Sequence, residues 1–198
     1  MSTIETQDFV FTRTFDAPRD LVWSAWTSAE ALGRWWGPRG ATIRVIKLDF
    51  RPGGVFHYAM AFQPGHEMCG RFVYREIVAP ERLSFVNSFS DAAGGITRAP
   101  FPQFQGKWPL EVLNVMILSE SGGKTTLNLR GAPINATAEE RAIFAGNIDS
   151  MRQGFGGTFD KLGEWLRSTK AEYSQHISRG EISFAVRVDT PTCRSSSH

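Results

Sequence analysis

The side chains most suited to metal or acid–base chemistry lie close together in the sequence: His57, His66, Glu67 and Cys69. Imidazole and thiolate groups are common zinc ligands, and a histidine or glutamate beside a cavity is a candidate general base. His66-x-x-Cys69 has no second matched pair, and strand alternation would place these two side chains on opposite faces. We therefore predict no metal site and no cofactor, with His66 and Glu67 in a surface turn.

Motifs for covalent catalysis and nucleotide binding are absent from the sequence. It contains no Gly-x-Ser-x-Gly and no paired Cys and His with a third orienting group. Neither Gly53 with Gly54 nor Gly156 with Gly157 lies in the Gly-x-x-x-x-Gly-Lys context of a phosphate-binding loop. We predict no catalytic residue for hydrolysis, redox chemistry or nucleotide use.

The remaining pattern is a set of apolar side chains with a few polar groups, which is typical of a small-molecule pocket. In VFHYAMAF (55–62), one face carries Phe, Tyr, Met and Phe, and we expect it to face a helix near the C-terminus. The predicted cavity residues are Trp35, Trp36, Phe56, Tyr58, Met60, Phe85, Asn87, Met151, Phe155 and Phe159. The alternative is that these side chains form only a hydrophobic core.

Two adjacent tryptophans stand at the end of a predicted helix, in EALGRWWGPRG (30–40). Neighbouring residues of a helix point about 100° apart, so one ordinary core cannot receive both rings. We expect one indole to fill the core and the other to cover the mouth of a cavity against Pro38. The alternative is that one of them lines a ligand portal.

The elements that would position these residues follow from periodicity. Residues 8–15 predict a strand, and residues 16–36 predict two short helices, capped by Asp16 and by Thr27 or Ser28. Six further strands are predicted at 42–50, 55–62, 67–78, 82–89, 110–118 and 124–130. Between the fourth and fifth of these, residues 91–109 are rich in Gly and Pro and predict a long loop, of the kind that forms functional lids or mobile segments.

The last predicted element is one helix of about 30 residues that begins at a capping box of Thr137 and Glu140. Its apolar residues recur every three or four positions, and it carries several glycines, which suggests tight packing under the sheet. The order of elements predicts an α+β fold, in which a curved antiparallel sheet wraps around a long C-terminal helix.

Composition limits the partners. The chain has 198 residues, 41% of them hydrophobic, and 22 basic against 20 acidic residues. This balance argues against nucleic acid as a partner, and no apolar stretch is long enough to insert into a membrane. Two distant cysteines, Cys69 and Cys193, and a beginning without the blocks of a signal peptide predict a soluble cytoplasmic protein.

A set of motifs resembles one branch of the START-like, birch-pollen-allergen-fold superfamily, SRPBCC. The branch comprises single-domain relatives of the C-terminal domain of the activator of the 90-kilodalton heat-shock protein ATPase. The motifs are FDAP (15–18), VW (22–23), AWT (25–27), RWWGP (34–38), LDFRPGG (48–54), PERL (80–83), GKTT (123–126) and SMRQGF (150–155). The resemblance covers residues 7–168 and implies the helix-grip fold, with a mostly apolar cavity between helix and sheet.

The sequence departs from the family in two places. Phe155 stands where a tryptophan is common, and the tail, residues 169–198, matches nothing in the family. We expect this tail to be loosely attached or disordered, the alternatives being an extra edge strand or a partner-binding segment.

The leading interpretation is that the protein binds a small hydrophobic or amphipathic molecule in the cavity. One alternative is a cyclase or hydratase acting on a polycyclic or polyketide-like substrate. It would need a proton-transferring group in the cavity, for which Tyr58, Asn87 and Asn114 are the only candidates, none a strong base. The second alternative is a chaperone contact like that of the ATPase activators, which resemble this chain only in their C-terminal domain.

Overall fold

A computed structural model describes residues 8–178 of the chain, with side chains described as far as residue 170. Within this part the chain forms seven strands, four α-helices and one turn of 3₁₀ helix at Pro102–Phe104. The strands are β1 (Phe9–Phe15), β2 (Thr42–Leu48), β3 (Val55–Gln63), β4 (His66–Val78), β5 (Arg82–Ser90), β6 (Glu111–Ser121) and β7 (Lys124–Ile134). The helices are α1 (Arg19–Ser24), α2 (Ala29–Trp35), α3 (Ala138–Gly146) and α4 (Ile148–Ser178).

The seven strands form one antiparallel sheet in the order β1-β7-β6-β5-β4-β3-β2. Alternation of apolar and polar residues gives the sheet one face for the helices, as in the other α+β folds with helices on a single face. On that concave face, the ring centroid of Phe155 in α4 lies 5.0 Å from that of Phe9, and Phe159 lies 5.2 Å from Phe11. The predicted α+β helix-grip fold is confirmed.

The two short helices after β1 are also confirmed, with one cap different from the prediction. Ser28 caps α2, since its hydroxyl accepts a hydrogen bond of 3.0 Å from the Ala31 amide. Asp16 does not cap α1: the N-cap residue is Pro18, which makes no side-chain cap bond. The Asp16 carboxylate instead forms an ion pair with Lys170 at 3.2 Å, which links the start of the helical segment to α4.

The C-terminal helical region is not one continuous helix. The capping box of Thr137 and Glu140 is present, as predicted, but α3 ends at Gly146. Asn147 adopts a non-helical conformation, and its side-chain amide donates a 2.7 Å hydrogen bond to the Ile143 carbonyl. An asparagine that satisfies a carbonyl at a helix end competes with continuation of the helix, so the apolar stripe continues while the backbone breaks.

The glycines of α4 do not serve close packing as predicted. A Cβ atom at Gly154 or Gly156 would meet nothing within 4 Å, and at Gly157 its nearest contact would be 3.5 Å from the Arg39 amide nitrogen. These positions therefore have room for a side chain. α4 also continues to Ser178, beyond the boundary predicted at residue 168, while the rest of the predicted tail lies outside the described residues. No helix of the described part is long and apolar enough to span a membrane.

Candidate ligand-binding cavity

A cavity of about 290 Å³ lies between the concave face of the sheet and the helices α3 and α4. The sheet contributes residues from β1, β3, β4, β5, β6 and β7, and the helices contribute Phe144, Met151 and Phe155. Segment 91–109 adds Phe101, Trp108 and Pro109. The walls are apolar except for a few uncharged polar groups.

Five of the predicted residues line this cavity: Tyr58, Met60, Asn87, Met151 and Phe155. Tyr58 lies on β3 directly opposite Gly70 of β4, and a Cβ atom at Gly70 would lie only 2.5 Å from the tyrosine hydroxyl. The glycine therefore makes room for the ring. Burial raises the pKa of Tyr58 to about 12, with the nearby Trp36 indole opposing this shift, so the phenol is protonated at neutral pH.

The other five predicted residues lie in the hydrophobic core rather than on the cavity wall: Trp35, Trp36, Phe56, Phe85 and Phe159. Phe56, Phe85 and Phe159 share the face of their strand or helix with cavity residues, but neighbouring rings cover them. Phe85, for example, stacks on Phe72 at 4.2 Å, and Phe56 stacks on Tyr58 at 4.9 Å. Alternation identified the correct face, and packing decided which part of that face is open.

Both tryptophans of the pair are buried, which corrects the expectation that one would cover the cavity mouth. Trp35 is fully buried, and its indole N–H donates a 2.8 Å hydrogen bond to the Ala25 carbonyl. Trp36 is 5% exposed and packs behind the wall, with its ring 6.1 Å from Tyr58 and 6.4 Å from Phe155. Pro38 lines the cavity in its place.

A row of aromatic rings closes one side of the cavity. Phe89 of β5 contacts Phe101, which contacts Phe104, with centroid distances of 5.7 and 5.9 Å. Phe104 packs on Trp108 at 4.7 Å, and Trp108 packs on Phe144 of α3 at 5.6 Å. Segment 98–109 thus forms a lid that joins the sheet to α3. The long loop predicted from its Gly and Pro content thus carries the aromatic residues that cover the cavity.

Ion pairs fasten this lid to the first turn of α3. The Arg98 guanidinium pairs with Glu140 and also donates a 3.3 Å hydrogen bond to the Trp108 carbonyl, while Lys107 pairs with Glu139. Glu140 accepts a second bond, 2.8 Å long, from the Thr137 amide of the capping box. The hydrogen bond from Arg98, followed by that from Thr137, lowers the pKa of Glu140. We refer to the Arg98–Glu140 and Lys107–Glu139 pairs as the lid latch.

The polar groups on the cavity wall are two carboxamides, one hydroxyl of Ser88 and the phenol of Tyr58. Asn114 is only 4% exposed, and its Nδ2 donates a 3.0 Å hydrogen bond to the Val112 carbonyl. Asn87, half-buried, makes no side-chain hydrogen bond within the described residues. These amides can bind a ligand by donating or accepting hydrogen bonds, and they cannot act as strong acids or bases.

His57, His66 and Cys69 do not line the cavity. His66 and Glu67 are exposed at the start of β4, next to the predicted turn, and Glu67 pairs with Arg44. On the outer face of the sheet, His57 Nε2 donates a 3.2 Å hydrogen bond to the Asp91 carbonyl. Burial raises the pKa of the Cys69 thiol, which disfavours the reactive thiolate. Within residues 8–170, no three His, Cys, Asp or Glu side chains are grouped to hold a metal ion.

The prediction missed several lining residues, both on the strands and in the lid and α3. Phe101 and Trp108 carried a signal, since bulky aromatic rings in a loop rich in Gly and Pro have few places to be buried except against the domain they cover. Met68 and Phe9 lie on strands that were recognised, but nothing in their own sequence pattern distinguishes a cavity wall from a core.

One protein family matches most of this chain. The family described as Activator of Hsp90 ATPase homolog 1-like protein matches residues 16–167. The chain belongs to this family. The match includes α1 to α3 with the sheet strands between them and most of α4, and it confirms the resemblance noted from the motifs. No curated protein is similar enough to count as a match to this AHSA1-like chain.

Solved structures share the fold of this AHSA1-like domain. A protein from Arthrobacter aurescens is 23% identical, with a TM-score of 0.68, over 85% of this chain and 90% of that chain. A protein from Staphylococcus epidermidis is 25% identical, with a TM-score of 0.62, over 85% and 95% of the two chains. A third, from Nitrosomonas europaea, is 24% identical with a TM-score of 0.65, over 85% and 99%. These similarities support the helix-grip architecture.

Proposed function

We propose that this AHSA1-like protein binds a small hydrophobic molecule in the cavity between the sheet and the helices, and carries or sequesters it. The observation that carries the proposal is the 290 Å³ cavity with apolar walls beneath an aromatic lid. Apolar burial, worth roughly 25 cal/mol per Å² removed from water, would supply most of the affinity.

The size of the cavity limits the ligand. An apolar cavity of about 150 Å³ accommodates one benzene molecule in another protein. A cavity of 290 Å³ is about twice that volume and therefore suits a molecule of roughly two fused rings, or a short branched chain. A larger ligand would need the lid to move outward.

The cyclase or hydratase alternative receives less support from the site. Among the described lining residues, the ionisable side chain is Tyr58, whose pKa burial raises to about 12. A protonated phenol donates a hydrogen bond but does not remove a proton from a substrate at neutral pH. The chaperone alternative rests on the family description and draws no support from the cavity.

Native mass spectrometry of the purified protein, followed by extraction, tests the proposal. We expect an apolar compound to copurify in near-stoichiometric amount. In Met151→Trp, the larger ring would fill the cavity from α4, so the bound compound should be lost. Gln153→Trp is the matched control, because Gln153 lies two residues further along the same helix and is exposed.

The two variants separate ligand binding from loss of structure. We expect circular dichroism to show both folded and the control to retain the compound. If the Met151→Trp variant, once shown to be folded, still carried the same compound in the same amount, ligand binding in this cavity would be refuted.

A further inference from the structure

We infer that the ligand is a neutral, mainly apolar molecule with one hydroxyl or carbonyl group, and that Asn87 and Asn114 bind this group at the inner end of the cavity. This inference rests on the proposed function, since it concerns the same cavity. It adds the charge of the ligand, the position of its polar group and the direction in which it enters.

The charge follows from the wall of the cavity. The lining residues described in the structure include no Lys, Arg, His, Asp or Glu. The charged residues of the lid latch are not among the lining residues and are already paired with one another. An ion inside the cavity would therefore lose its hydration without gaining a counter-ion, which is strongly unfavourable. A carboxylate or an ammonium group is excluded from the bound part of the ligand.

The polar group follows from the two asparagines. Burial of a carboxamide without hydrogen-bond partners is unfavourable, and buried polar groups in folded proteins almost always have partners. Asn114 uses its Nδ2 on the Val112 carbonyl, while no donor of the described residues bonds to its Oδ1. Asn87 is half-buried with both its oxygen and its nitrogen free. Together they offer a guest two acceptor oxygens, both N–H donors of Asn87 and the second N–H of Asn114.

The register brings the two amides within reach of one ligand group. Asn87 of β5 lies opposite Val112 of β6, and Asn114 lies opposite Phe85. The asparagines are therefore diagonal neighbours on the same face, with backbones about 7–8 Å apart. A hydroxyl placed between their side chains accepts a hydrogen bond from Asn87 and donates one to Asn114. Gly131, opposite Asn114 on β7, leaves space there, since a Cβ atom on it would lie 3.0 Å from Oδ1.

The direction in which the ligand enters follows from the exposed fractions of two lining side chains. Asn114 is 4% exposed, whereas Phe62, which also lines the cavity, is 53% exposed. The polar group thus lies at the inner end and the apolar wall extends to the rim. A ligand seated on the asparagines has entered with its polar end first and leaves its hydrocarbon end towards the rim.

Four two-ring probes of the same skeleton test the inference on the full chain freed of copurified compounds: naphthalene, 2-naphthol, 2-naphthoate and 2-naphthylmethylammonium, titrated by calorimetry at pH 7. We expect both charged probes to bind at least about 100-fold more weakly than 2-naphthol. In Asn87→Leu, the affinity of 2-naphthol relative to naphthalene should fall about fivefold to tenfold. Asn114→Leu is the second variant, and Asn128→Leu, an exposed asparagine of β7, is the control.

The outcomes separate the inference from the proposed function, because naphthalene reports on the cavity alone. The inference is supported if the preference for 2-naphthol falls in the Leu variants of the cavity and not in the control. It is overturned if naphthalene binds normally while this preference is unchanged, or if 2-naphthoate binds as tightly as 2-naphthol. Failure of both neutral probes to bind would instead contradict the proposed cavity function, and the inference with it.

A probe with a substituent tests the direction of entry. We expect a butyl group on carbon 6 of 2-naphthol, remote from the hydroxyl, to change affinity less than threefold because it extends to the rim. The same group on carbon 3, beside the hydroxyl, should reduce affinity at least about tenfold by clashing with the inner wall. The reverse order would place the polar end at the rim and overturn the inference.

Discussion

Replacing Gly154 and Gly156 of α4 by alanine should stabilise the protein, although both residues lie beside the candidate site. Each is in the interior of a helix that runs from Ile148 to Ser178. Glycine in a helix interior costs about 1 kcal/mol relative to alanine, because the unfolded glycine has more backbone freedom to lose. The replacement normally carries the risk of a steric clash, and the structure shows none here.

The magnitude follows from the space around each position. A Cβ atom at either glycine would meet nothing within 4 Å, so no packing cost offsets the gain in helix propensity. The double variant should therefore raise the free energy of unfolding by roughly 2 kcal/mol. For a domain of this size, about 2–4 °C per kcal/mol, the midpoint of thermal unfolding should rise by roughly 4–8 °C.

The assay is thermal and urea unfolding followed by circular dichroism, with Gly70→Ala as the control of opposite sign. A Cβ atom at Gly70 would lie 2.5 Å from the Tyr58 hydroxyl oxygen, so the rigid ring would have to leave its present packing on Phe56 and Trp36. That variant should be clearly destabilised. If the α4 double variant were neutral or destabilised, the reasoning that these glycines stand in open helical positions would be refuted.

The same variant bears on the cavity, because the two glycines flank Phe155, which lines it. Three glycines within residues 154–157 make this turn of α4 the part of the helix with the lowest propensity. Alanine there should make local opening rarer. We therefore expect slower release of a bound probe from the double variant, measured by stopped-flow displacement, at nearly unchanged affinity.

Three further predictions concern the lid and the core. Arg98→Ala removes the Arg98–Glu140 ion pair of the lid latch and should increase the rate of probe release several-fold, as measured by stopped-flow displacement. An unchanged release rate would mean that the lid does not control exit from the cavity. Because the pKa of Glu140 is lowered in the folded state, its ionised carboxylate stabilises the fold fully above the ordinary pKa of about 4.5, and this stabilisation is lost as the pH falls through the lowered pKa. The wild type should therefore lose more stability in acid than Arg98→Ala. Urea unfolding across pH 3–6 measures the difference. Trp35→Phe should lower the free energy of unfolding, measured in urea, by about 1–3 kcal/mol more than Trp26→Phe does, because it leaves the Ala25 carbonyl unpaired. The buried Trp26 indole N–H has no hydrogen-bond partner to lose. Equal losses in the two variants would contradict this reasoning.

The fold could be predicted closely from the sequence because its signals are local. Alternation in residues 55–62 and 82–89, separated by turns with Gly and Pro, defines strands without reference to the rest of the chain. The capping box at Thr137 likewise needs only four residues to form. The break at Asn147 was missed because periodicity does not show whether an asparagine bonds backward to a carbonyl or faces solvent.

The candidate site could be predicted only in part because a cavity is a property of several elements at once. Phe56 and Tyr58 point to the same face of β3, yet Phe72 covers the first and the second borders open space. Which ring is covered depends on the crossing of α4 and the path of the lid, which no single segment encodes. The prediction that Trp36 lines the cavity was wrong for the same reason, since Pro38 lies on the cavity wall and Trp36 does not.

The pairing of the first strand with the last has a consequence for synthesis on the ribosome. Phe9 of β1 lies opposite Gly131 of β7, so β1, the first strand to be synthesised, cannot pair until β7, the last strand, has been made. The neighbouring pairs β3 with β4, β4 with β5 and β6 with β7 join segments close in sequence and can form while translation continues. The nascent sheet nevertheless exposes its concave apolar face until α4, the final described element, leaves the exit tunnel. The domain therefore completes its fold late, and its future cavity wall stays an uncovered hydrophobic surface until α4 has been made.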